Sequence, residues 1–371
     1  MYPNLSYLLN DFLGTPKDNW FSIFHTYGTV TTLTIFTCAY LLKREIERKE
    51  LSGEINILVS KKEVTALNYL FYLLVMSFLG YKLGYVIAYL DEFKNAPRQI
   101  IFSSLGSVKV AILLDVLYLG YIFLTKKALK TVTTLRKVSE LVYEATLFII
   151  VAAMLGAKII ALLESDMSKL NLTSVFNSGV SYYGGLIGGF LGGLFYFYLY
   201  KIPVRFLFDT IAPILMLGYA IGRLGCHLSG DGDWGIENNV QKPSFWFLPD
   251  WTWSYNFPHN VLNKGQYIQN CVNKYCFQLP RPVYPTSLYE SFMALISFLI
   301  MWKIRKKTTK PYHMASLFLI LNSLQRFFIE FIRVNPKYNI YGLLMSQAQI
   351  VAVSLFILAI IWLSVANKIA K

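Results

Sequence analysis

DTIAPILMLGYAIGRLGCHLSGDGDWG, residues 209–235, joins an apolar run to a short polar segment rich in glycine and aspartate. An arginine, a cysteine, a histidine and two aspartates follow the apolar run in close succession. Polar groups at the end of a membrane helix either anchor that helix at the interface or form a binding site. The composition of the whole chain decides first whether this run lies in a membrane.

The chain is strongly apolar along its whole length. Of its 371 residues, 55% are hydrophobic and 15% are charged, whereas a soluble domain carries about 25% charged residues. This composition indicates an all-α polytopic membrane protein, which we treat as one integral membrane domain over residues 1–371. Segments of about 20 apolar residues can cross the bilayer core. Nine are predicted, at residues 21–42, 66–90, 104–125, 141–163, 181–200, 206–224, 286–302, 313–332 and 347–366.

The net charge of +14 does not indicate nucleic-acid binding, because the basic residues cluster in alternate connections between the spans. These clusters are KREIERK (43–49), KKALKTVTTLRK (126–137), Lys201 with Arg205, and KIRKKTTK (303–310). The positive-inside rule places these loops and the C-terminus in the cytoplasm and the N-terminus outside. The N-terminal residues show no cleavable signal-peptide pattern and are predicted to be interfacial. The long connection at 226–285 then lies on the exterior, periplasmic side.

The two cysteines of CVNKYC, Cys271 and Cys276, fall in this exterior connection. An oxidising compartment permits a disulfide between them, but a bridge over so few residues can be strained, so the sequence leaves the pairing open. A zinc site is less favoured, because no second pair of ligands accompanies them. Cys38, in the first span, is interpreted as a packing residue.

Residues 61–90 and 136–165 resemble each other. Both have a basic start, an apolar span and a Leu-Gly-x-Lys sequence, in which Gly80 and Lys82 match Gly156 and Lys158. We interpret residues 61–127 and 136–201 as diverged copies of one two-helix unit, the first being an inserted or duplicated copy. Coincidental likeness of two apolar hairpins is the alternative.

Three polar or glycine-rich groups interrupt the apolar pattern. In SYYGGLIGGFLGGLF (181–195), glycines four residues apart predict close helix packing, and Tyr182 and Tyr183 are interpreted as interface anchors in preference to ligand donors. In LNSLQRFFIEFIRVN (321–335), Asn322, Arg326, Glu330 and Arg333 are expected on one helical stripe. An Arg326–Glu330 pair could be purely structural, but the stripe leaves a surplus cation that requires an anion.

The third group is the opening stretch. The guanidinium of Arg223 is suited to binding a phosphate group. Asp231 and Asp233 are too few carboxylates for a convincing Ca²⁺ or Mg²⁺ site, so no metal is predicted. His227 is either a hydrogen-bonded interfacial residue or part of the site. Together the arginines, the histidine and the aspartates predict a site for a phosphorylated lipid headgroup.

Five motifs in order resemble the bacterial prolipoprotein diacylglyceryl transferase family. They are HTYGTV (25–30), YGGLIGG (183–189), GRLG with GDGDWG (222–235), YPTSLYE (284–290) and QRFFIEFIR (325–333). The resemblance implies an enzyme of the bacterial cytoplasmic membrane without cofactors. Its partners are phosphatidylglycerol, membrane lipid and the lipobox of preprolipoprotein signal peptides. Such an enzyme moves the diacylglyceryl group from phosphatidylglycerol to the lipobox cysteine and releases glycerol phosphate.

The resemblance assigns roles residue by residue. Tyr27, Arg223, Gly235 and Arg326 match important family positions, and Glu330 and Arg333 match ion-paired ones. In this scheme Arg223 and Arg326 stabilise the leaving phosphate, and His227 with Asp231 or Asp233 activates the thiol. The remaining residues of the catalytic and substrate-binding set are Tyr27, Tyr183, Gly184, Gly185, Cys226, Trp234, Gly235, Asn322, Glu330 and Arg333.

The chain also departs from the family pattern. Tyr183 and Tyr284 replace histidines, Cys226 replaces an asparagine, and Asn322 replaces a tyrosine. Either Asp231 or Asp233 takes the place of a glutamate, and the duplicated unit adds a pair of helices to the family's seven. The alternatives are therefore an altered or inactive member that acts as a lipid- or lipoprotein-binding assembly partner, and a transferase with another lipid or acceptor. A transporter is disfavoured, since the polar residues lie near the outer ends of spans.

Overall fold

The computed structural model describes residues 1–95, 100, 105–125, 131–164, 181–308, 310–340 and 342–369. They divide into two compact units, of which the first comprises Met1–Arg48 and Pro203–Lys371 and the second comprises Lys49–Ile202. Both copies of the predicted two-helix unit, 61–127 and 136–201, fall within the second. Whether they are duplicates, and whether the chain acts as one membrane domain, stay predictions.

The described residues are mainly helical. The helices are α1 (Leu5–Leu13), α2 (Thr26–Leu51), α3 (Thr65–Ala88), α4 (Leu90–Asn95), α5 (Val108–Leu124), α6 (Val142–Leu163), α7 (Tyr182–Leu199), α8 (Val204–Ser229), α9 (Thr286–Ile304), α10 (His313–Ile329) and α11 (Gln347–Ile369). Three antiparallel two-stranded ladders join β1 (Leu58–Val64) to β2 (Thr131–Lys137), β3 (Gln266–Tyr267) to β4 (Phe277–Gln278), and β5 (Lys337–Ile340) to β6 (Leu343–Ser346).

Five helical segments in the described ranges are long and apolar enough to cross a membrane. They are Val138–Leu163, Leu207–Ser229, Thr286–Ile304, His313–Ile332 and Gln347–Ser364, and Tyr72–Ala88 and Tyr183–Leu199 are shorter apolar helices. Helices also occupy the predicted spans at 21–42 and 104–125, where α2 and α5 lie. Residue 104 itself lies outside the described ranges. The number of nine spans and their orientation stay predictions.

The core of the first unit lies where α8, α9 and α10 meet. Ala212, Met216, Leu217 and Ala220 of α8 pack there with Ala294, Phe298 and Met301 of α9 and with Met314 of α10. Asp209, near the start of α8, accepts hydrogen bonds from the backbone N–H groups of Tyr312 and Ala315. This carboxylate therefore caps the N-terminus of α10, where unpaired N–H groups favour an anion.

The end of α8 differs from the sequence prediction. The exterior connection was predicted to begin at residue 226, but the helix continues to Ser229. Gly230 ends the helix in the left-handed region, with φ +63° and its N–H bonded to the carbonyl of Cys226. A glycine at this position is a usual helix stop. Cys226 and His227 consequently belong to the last helical turn and project from a rigid element.

The polar stripe on residues 321–335 is also shorter than predicted. The α-helix ends at Ile329, Glu330–Ile332 form a single 3₁₀ turn, and Arg333 has an extended backbone. The helix ends early because this segment pairs with the chain around Gly235. The N–H of Ile236 donates to the carbonyl of Ile332, and Gly235 forms an isolated antiparallel β-bridge with Arg333. Arg333 therefore leaves the helical stripe and reaches its partners from an extended segment.

Residues 231–285 form a folded layer at the ends of α8 and α9. A disulfide joins Cys271 to Cys276, whose Cα atoms are 5.6 Å apart, a spacing usual for such bonds. This bond answers the question that the sequence left open. Tyr7 of α1 is buried beside it, and its hydroxyl accepts from the N–H of Tyr275. The N-terminal helix thus docks on the disulfide hairpin.

The second unit contains two helical hairpins, α3 with α5 and α6 with α7. A Cβ on Gly80 would lie 2.8 Å from the Cα of Ala111, and one on Gly156 would collide with the carbonyl of Gly184. The two glycines that the repeat aligns thus lie at the helix crossing of their own hairpins, where only small residues permit such close packing.

Candidate functional site

A buried carboxylate stands at the centre of the polar cluster in the first unit. Glu290, in the second turn of α9, is completely buried. Its Oε1 accepts a hydrogen bond from Arg326 at 2.9 Å. Its Oε2 accepts one from Arg333 at 3.4 Å and lies 3.1 Å from the Nε of Arg223. Three guanidinium groups from three segments therefore converge on one side chain.

Asp233 is the second shared carboxylate. One of its oxygens pairs with Arg223, and the other pairs with Arg333. Burial alone would raise the pKa of Asp233, but the two guanidiniums more than offset it and hold the pKa below its ordinary value. The side chain is therefore an ionised anchor for two arginines, and it is poorly suited to accept a proton.

Glu330 completes the cluster. Its carboxylate lies 3.4 Å from Arg326 and 3.9 Å from Arg333, and it accepts a hydrogen bond from Asn335. Arg326 thus bridges Glu290 and Glu330, as a planar guanidinium can. The surplus cation expected on the 321–335 stripe is not found, because Glu290 and Asp233, from other segments, supply the missing anions.

Short backbone contacts hold these segments together. The N–H of Gly235 donates to the carbonyl of Tyr284, and the Thr286 hydroxyl donates to the carbonyl of Asp233, both at 2.8 Å. A Cβ on Gly235 would lie 2.5 Å from the carbonyl oxygen of Ile332. Glycine is therefore required there for the backbone to approach closely enough to align Asp233 with Arg333.

Cys226 lies beside the two aspartates. Its Sγ and a carboxylate oxygen of each of Asp231 and Asp233 lie within 4.8 Å of one another, the single group with metal-ligand spacing in the part of the chain that the structure describes. Any cation there would compete with Arg223 and Arg333 for Asp233, so the donor set fits a metal poorly. Burial, reinforced by the Asp233 carboxylate, raises the pKa of Asp231 above its ordinary value.

Tyr27 lies in the first turn of α2, close to this pair. Its ring packs beside Gly225, where an added Cβ would lie 3.5 Å from Cδ2 of the tyrosine. The phenol lies near Cys226, Asp231 and Arg223. Tyr27 thus lies beside the polar residues of the 222–235 stretch.

His227 and Trp234 point elsewhere. The imidazole is buried beside Trp251, Tyr255 and Phe257, and its Nδ1 has no hydrogen-bond partner among the described residues. Trp234 packs on Phe257 with 5.4 Å between ring centroids. The expected pairing of His227 with an aspartate is therefore not observed, because the last turn of α8 directs the imidazole into the aromatic core of the 231–285 layer.

Asn322 and three residues of α7 are the remaining predicted residues. Asn322 is half-buried on α10, one turn before Arg326. Tyr183, Gly184 and Gly185 belong to the second unit, at the start of α7. The side chain of Tyr183 is 61% exposed, and Gly184 packs against Gly156 of α6. The two glycines thus serve helix packing, as their spacing predicts.

Glu290 lies in the YPTSLYE motif but is not among the site residues predicted from the sequence. The missed signal was a carboxylate inside an otherwise apolar span, which requires a cationic partner. The 321–335 segment has more arginines than acidic residues, and Glu290 has no basic residue in its own span. The sequence therefore contained both halves of the ion cluster.

The chain matches known proteins over much of its length. A family model described as prolipoprotein diacylglyceryl transferase matches residues 107–365, more than half of the chain. A phosphatidylglycerol–prolipoprotein diacylglyceryl transferase of Leptospira interrogans is 31% identical over 159 residues, which cover 43% of this chain and 42% of that protein. The matched part thus spans less than half of the length of that relative.

Relatives with the same description from other bacteria match more of their length. The protein of Psychrobacter arcticus is 28% identical over 236 residues, covering 62% of this chain and 79% of its own length. The protein of Xylella fastidiosa is 26% identical over 242 residues, which cover 63% of this chain and 79% of that protein.

Proposed function

Since the chain belongs to the prolipoprotein diacylglyceryl transferase family, we propose that it transfers diacylglyceryl from phosphatidylglycerol to the lipobox cysteine of preprolipoproteins. The observation that carries this proposal is the convergence of Arg223, Arg326 and Arg333 on Glu290. Such a fixed set of guanidiniums suits a phosphate group. The names of the relatives, which specify phosphatidylglycerol and prolipoprotein, support the same substrates.

In the proposed reaction the acceptor thiolate attacks C3 of the diacylglyceryl glycerol. An S–C bond forms, the C3–O bond to phosphate breaks with its electron pair on oxygen, and glycerol phosphate leaves. Negative charge therefore develops on the phosphate, where preorganised cations lower the barrier. Arg223 and Arg326 have this role, because they retain more solvent exposure than Arg333.

The acceptor thiol must lose its proton, since only the thiolate is a good nucleophile. Asp231 is the base that we favour, because its raised pKa and its position beside Cys226 and Tyr27 suit it to accept a proton. Asp233 has the complementary role of holding Arg223 and Arg333. This division assigns different functions to the two aspartates of GDGDWG and removes His227 from the base position.

The substrate-binding set contains the remaining candidates. Gly235 and Glu330 support the arginines, Arg333 shares their carboxylates, and Trp234 supports the 231–285 layer. Tyr27 and Cys226 lie near Arg223. Asn322 is included as the residue one turn before Arg326 on α10. The assignment of Tyr183, Gly184 and Gly185 to this set rests on the family resemblance alone. The protein acts in the bacterial cytoplasmic membrane, with residues 230–285 on the periplasmic side where lipoprotein precursors emerge.

Complementation tests the function directly. A strain depleted of its own diacylglyceryl transferase should grow when it expresses this chain and should fail to grow when it expresses the Arg223→Ala variant. The purified protein in phosphatidylglycerol vesicles should also convert a lipobox peptide to its thioether and release glycerol phosphate. Failure of both assays with normal membrane expression would contradict the transferase function and favour the alternative role in lipid or lipoprotein binding.

A further inference from the structure

Residues 240–253, VQKPSFWFLPDWTW, form a compact structure that we call the aromatic loop. The Lys242 ammonium lies 2.8 Å from the carbonyl of Leu248 and 2.7 Å from Asp250. The indole N–H of Trp246 donates to the Thr252 hydroxyl, and that of Trp253 donates to the carbonyl of Val240, both at 2.9 Å. Both ends of the loop are thus fixed by its own side chains.

Three consecutive aromatic residues at its tip alternate in direction. Trp246 is half-buried and packs on Trp253, with 5.2 Å between ring centroids. Its neighbours Phe245 and Phe247 point outward and are 75% and 91% exposed. A phenylalanine left in water forgoes roughly 2 kcal/mol of burial free energy. Since Trp246 fixes the backbone between them, the two phenylalanines are held out by the fold of the loop.

The aromatic loop is attached to a membrane helix at its first turn. The hydroxyl of Tyr289 donates to the carbonyl of Thr252 at 2.8 Å, and its ring lies 6.1 Å from that of Trp246. Tyr289 is in α9, a candidate membrane span. Phe292, one turn further along, is 64% exposed, and three residues of helix rise only about 4.5 Å. The outer face of α9 therefore leads directly to the aromatic loop.

We propose that the aromatic loop inserts Phe245 and Phe247 into the interfacial layer of the membrane leaflet on its own side. Aromatic side chains favour this layer, and a short amphipathic segment can bury its apolar side there. A lipid occupant is favoured over a protein because the exposed surface continues from the lipid-facing side of α9. The inference requires α9 to cross the membrane and does not depend on the transferase activity.

Site-directed spin labelling tests this insertion. A nitroxide is attached at Phe247→Cys and, as a matched control in the same 231–285 layer, at the exposed Lys264→Cys. The full-length protein is placed in vesicles of phosphatidylglycerol and phosphatidylethanolamine, and the unsubstituted chain gives the background from Cys38 and Cys226. Collision with oxygen, which concentrates in lipid, is compared with collision with a water-soluble nickel chelate.

The label at 247 should collide severalfold less with nickel and more with oxygen than the label at 264. Equal nickel accessibility at the two positions would overturn the proposal. Shielding of position 247 from both reagents would also overturn it, because that result indicates a protein surface as the occupant.

Discussion

The Arg326 guanidinium donates to the Glu290 carboxylate at 2.9 Å, which joins α10 to α9 at the centre of the polar cluster. The same carboxylate contacts Arg223 and Arg333. A fully buried charge is tolerated only when such partners are in place. Glu290 therefore offsets part of the charge of the arginines, together with Asp233 and Glu330, and sets their mutual spacing.

Replacing Glu290 with glutamine tests this central role. The variant keeps the shape of the side chain but leaves three guanidiniums without their shared anion. Because breaking a buried ion pair costs about 3 kcal/mol or more, the midpoint of thermal unfolding in detergent should fall by several degrees, and transfer should be impaired.

Glu237→Gln is the matched control, since Glu237 also pairs with an arginine, Arg281, but is 51% exposed. An exposed pair contributes at most about 1 kcal/mol. Similar losses in the two variants would contradict a special role of the buried carboxylate.

Arg223→Ala should lower the rate of transfer by about 100-fold or more, because removal of one charge-stabilising donor has an effect of this size. The rate is measured with phosphatidylglycerol and a lipobox peptide, at a temperature where circular dichroism shows the variant to be folded. Arg281→Ala removes an exposed arginine of the 231–285 layer and should leave the rate unchanged. Full activity of the Arg223 variant would end the assignment.

Much of the helical architecture could be predicted from the sequence. Apolar length alone located the helices, and the predicted span at 141–163 differs from α6 by one residue. Helix ends were harder to predict, because Gly222, Gly225 and Gly230 are all plausible stops. Only Gly230 has the left-handed conformation, and this choice moves Cys226 and His227 onto the helix.

The site was predicted in part for a similar reason. Motifs identified Arg223, Arg326 and Arg333 one at a time, but the ion pairs connect residues 36 and 43 positions apart in the chain. The direction of a side chain such as His227 depends on the aromatic residues that surround it, which come from a distant part of the sequence. Local patterns contain no information on either arrangement.

The two aspartates of GDGDWG should respond oppositely to replacement by asparagine. Asp233 has a pKa below its ordinary value because Arg223 and Arg333 outweigh burial. It therefore stabilises the fold above its unfolded pKa, and this stability is lost as the pH falls through the folded pKa. Asp233→Asn should lower the unfolding midpoint at neutral pH and have less effect in acid.

The pKa of Asp231 shifts in the opposite direction, because burial raises it. Its ionised form destabilises the fold, and protonation relieves this cost as the pH falls through the raised pKa. Asp231→Asn should therefore raise the unfolding midpoint at neutral pH while it lowers transfer and removes the acid limb of the pH–rate profile. A lower midpoint in both variants would contradict the different roles of the two carboxylates.

Gly235→Ala should disrupt the site from outside the ion cluster. The added methyl would lie 2.5 Å from the carbonyl oxygen of Ile332 and 2.8 Å from Cγ2 of Thr286. The backbone must then move apart, so the pairing that aligns Asp233 with Arg333 is lost, and both the unfolding midpoint and the activity should fall.

Gly222→Ala is the matched control within the same motif, because its Cβ meets no atom within 4 Å. Replacing a glycine inside a helix stabilises it by about 0.5–1 kcal/mol, so the midpoint of this control should stay the same or rise. Equal destabilisation of the two variants would mean that the close approach at Gly235 does not position the arginines.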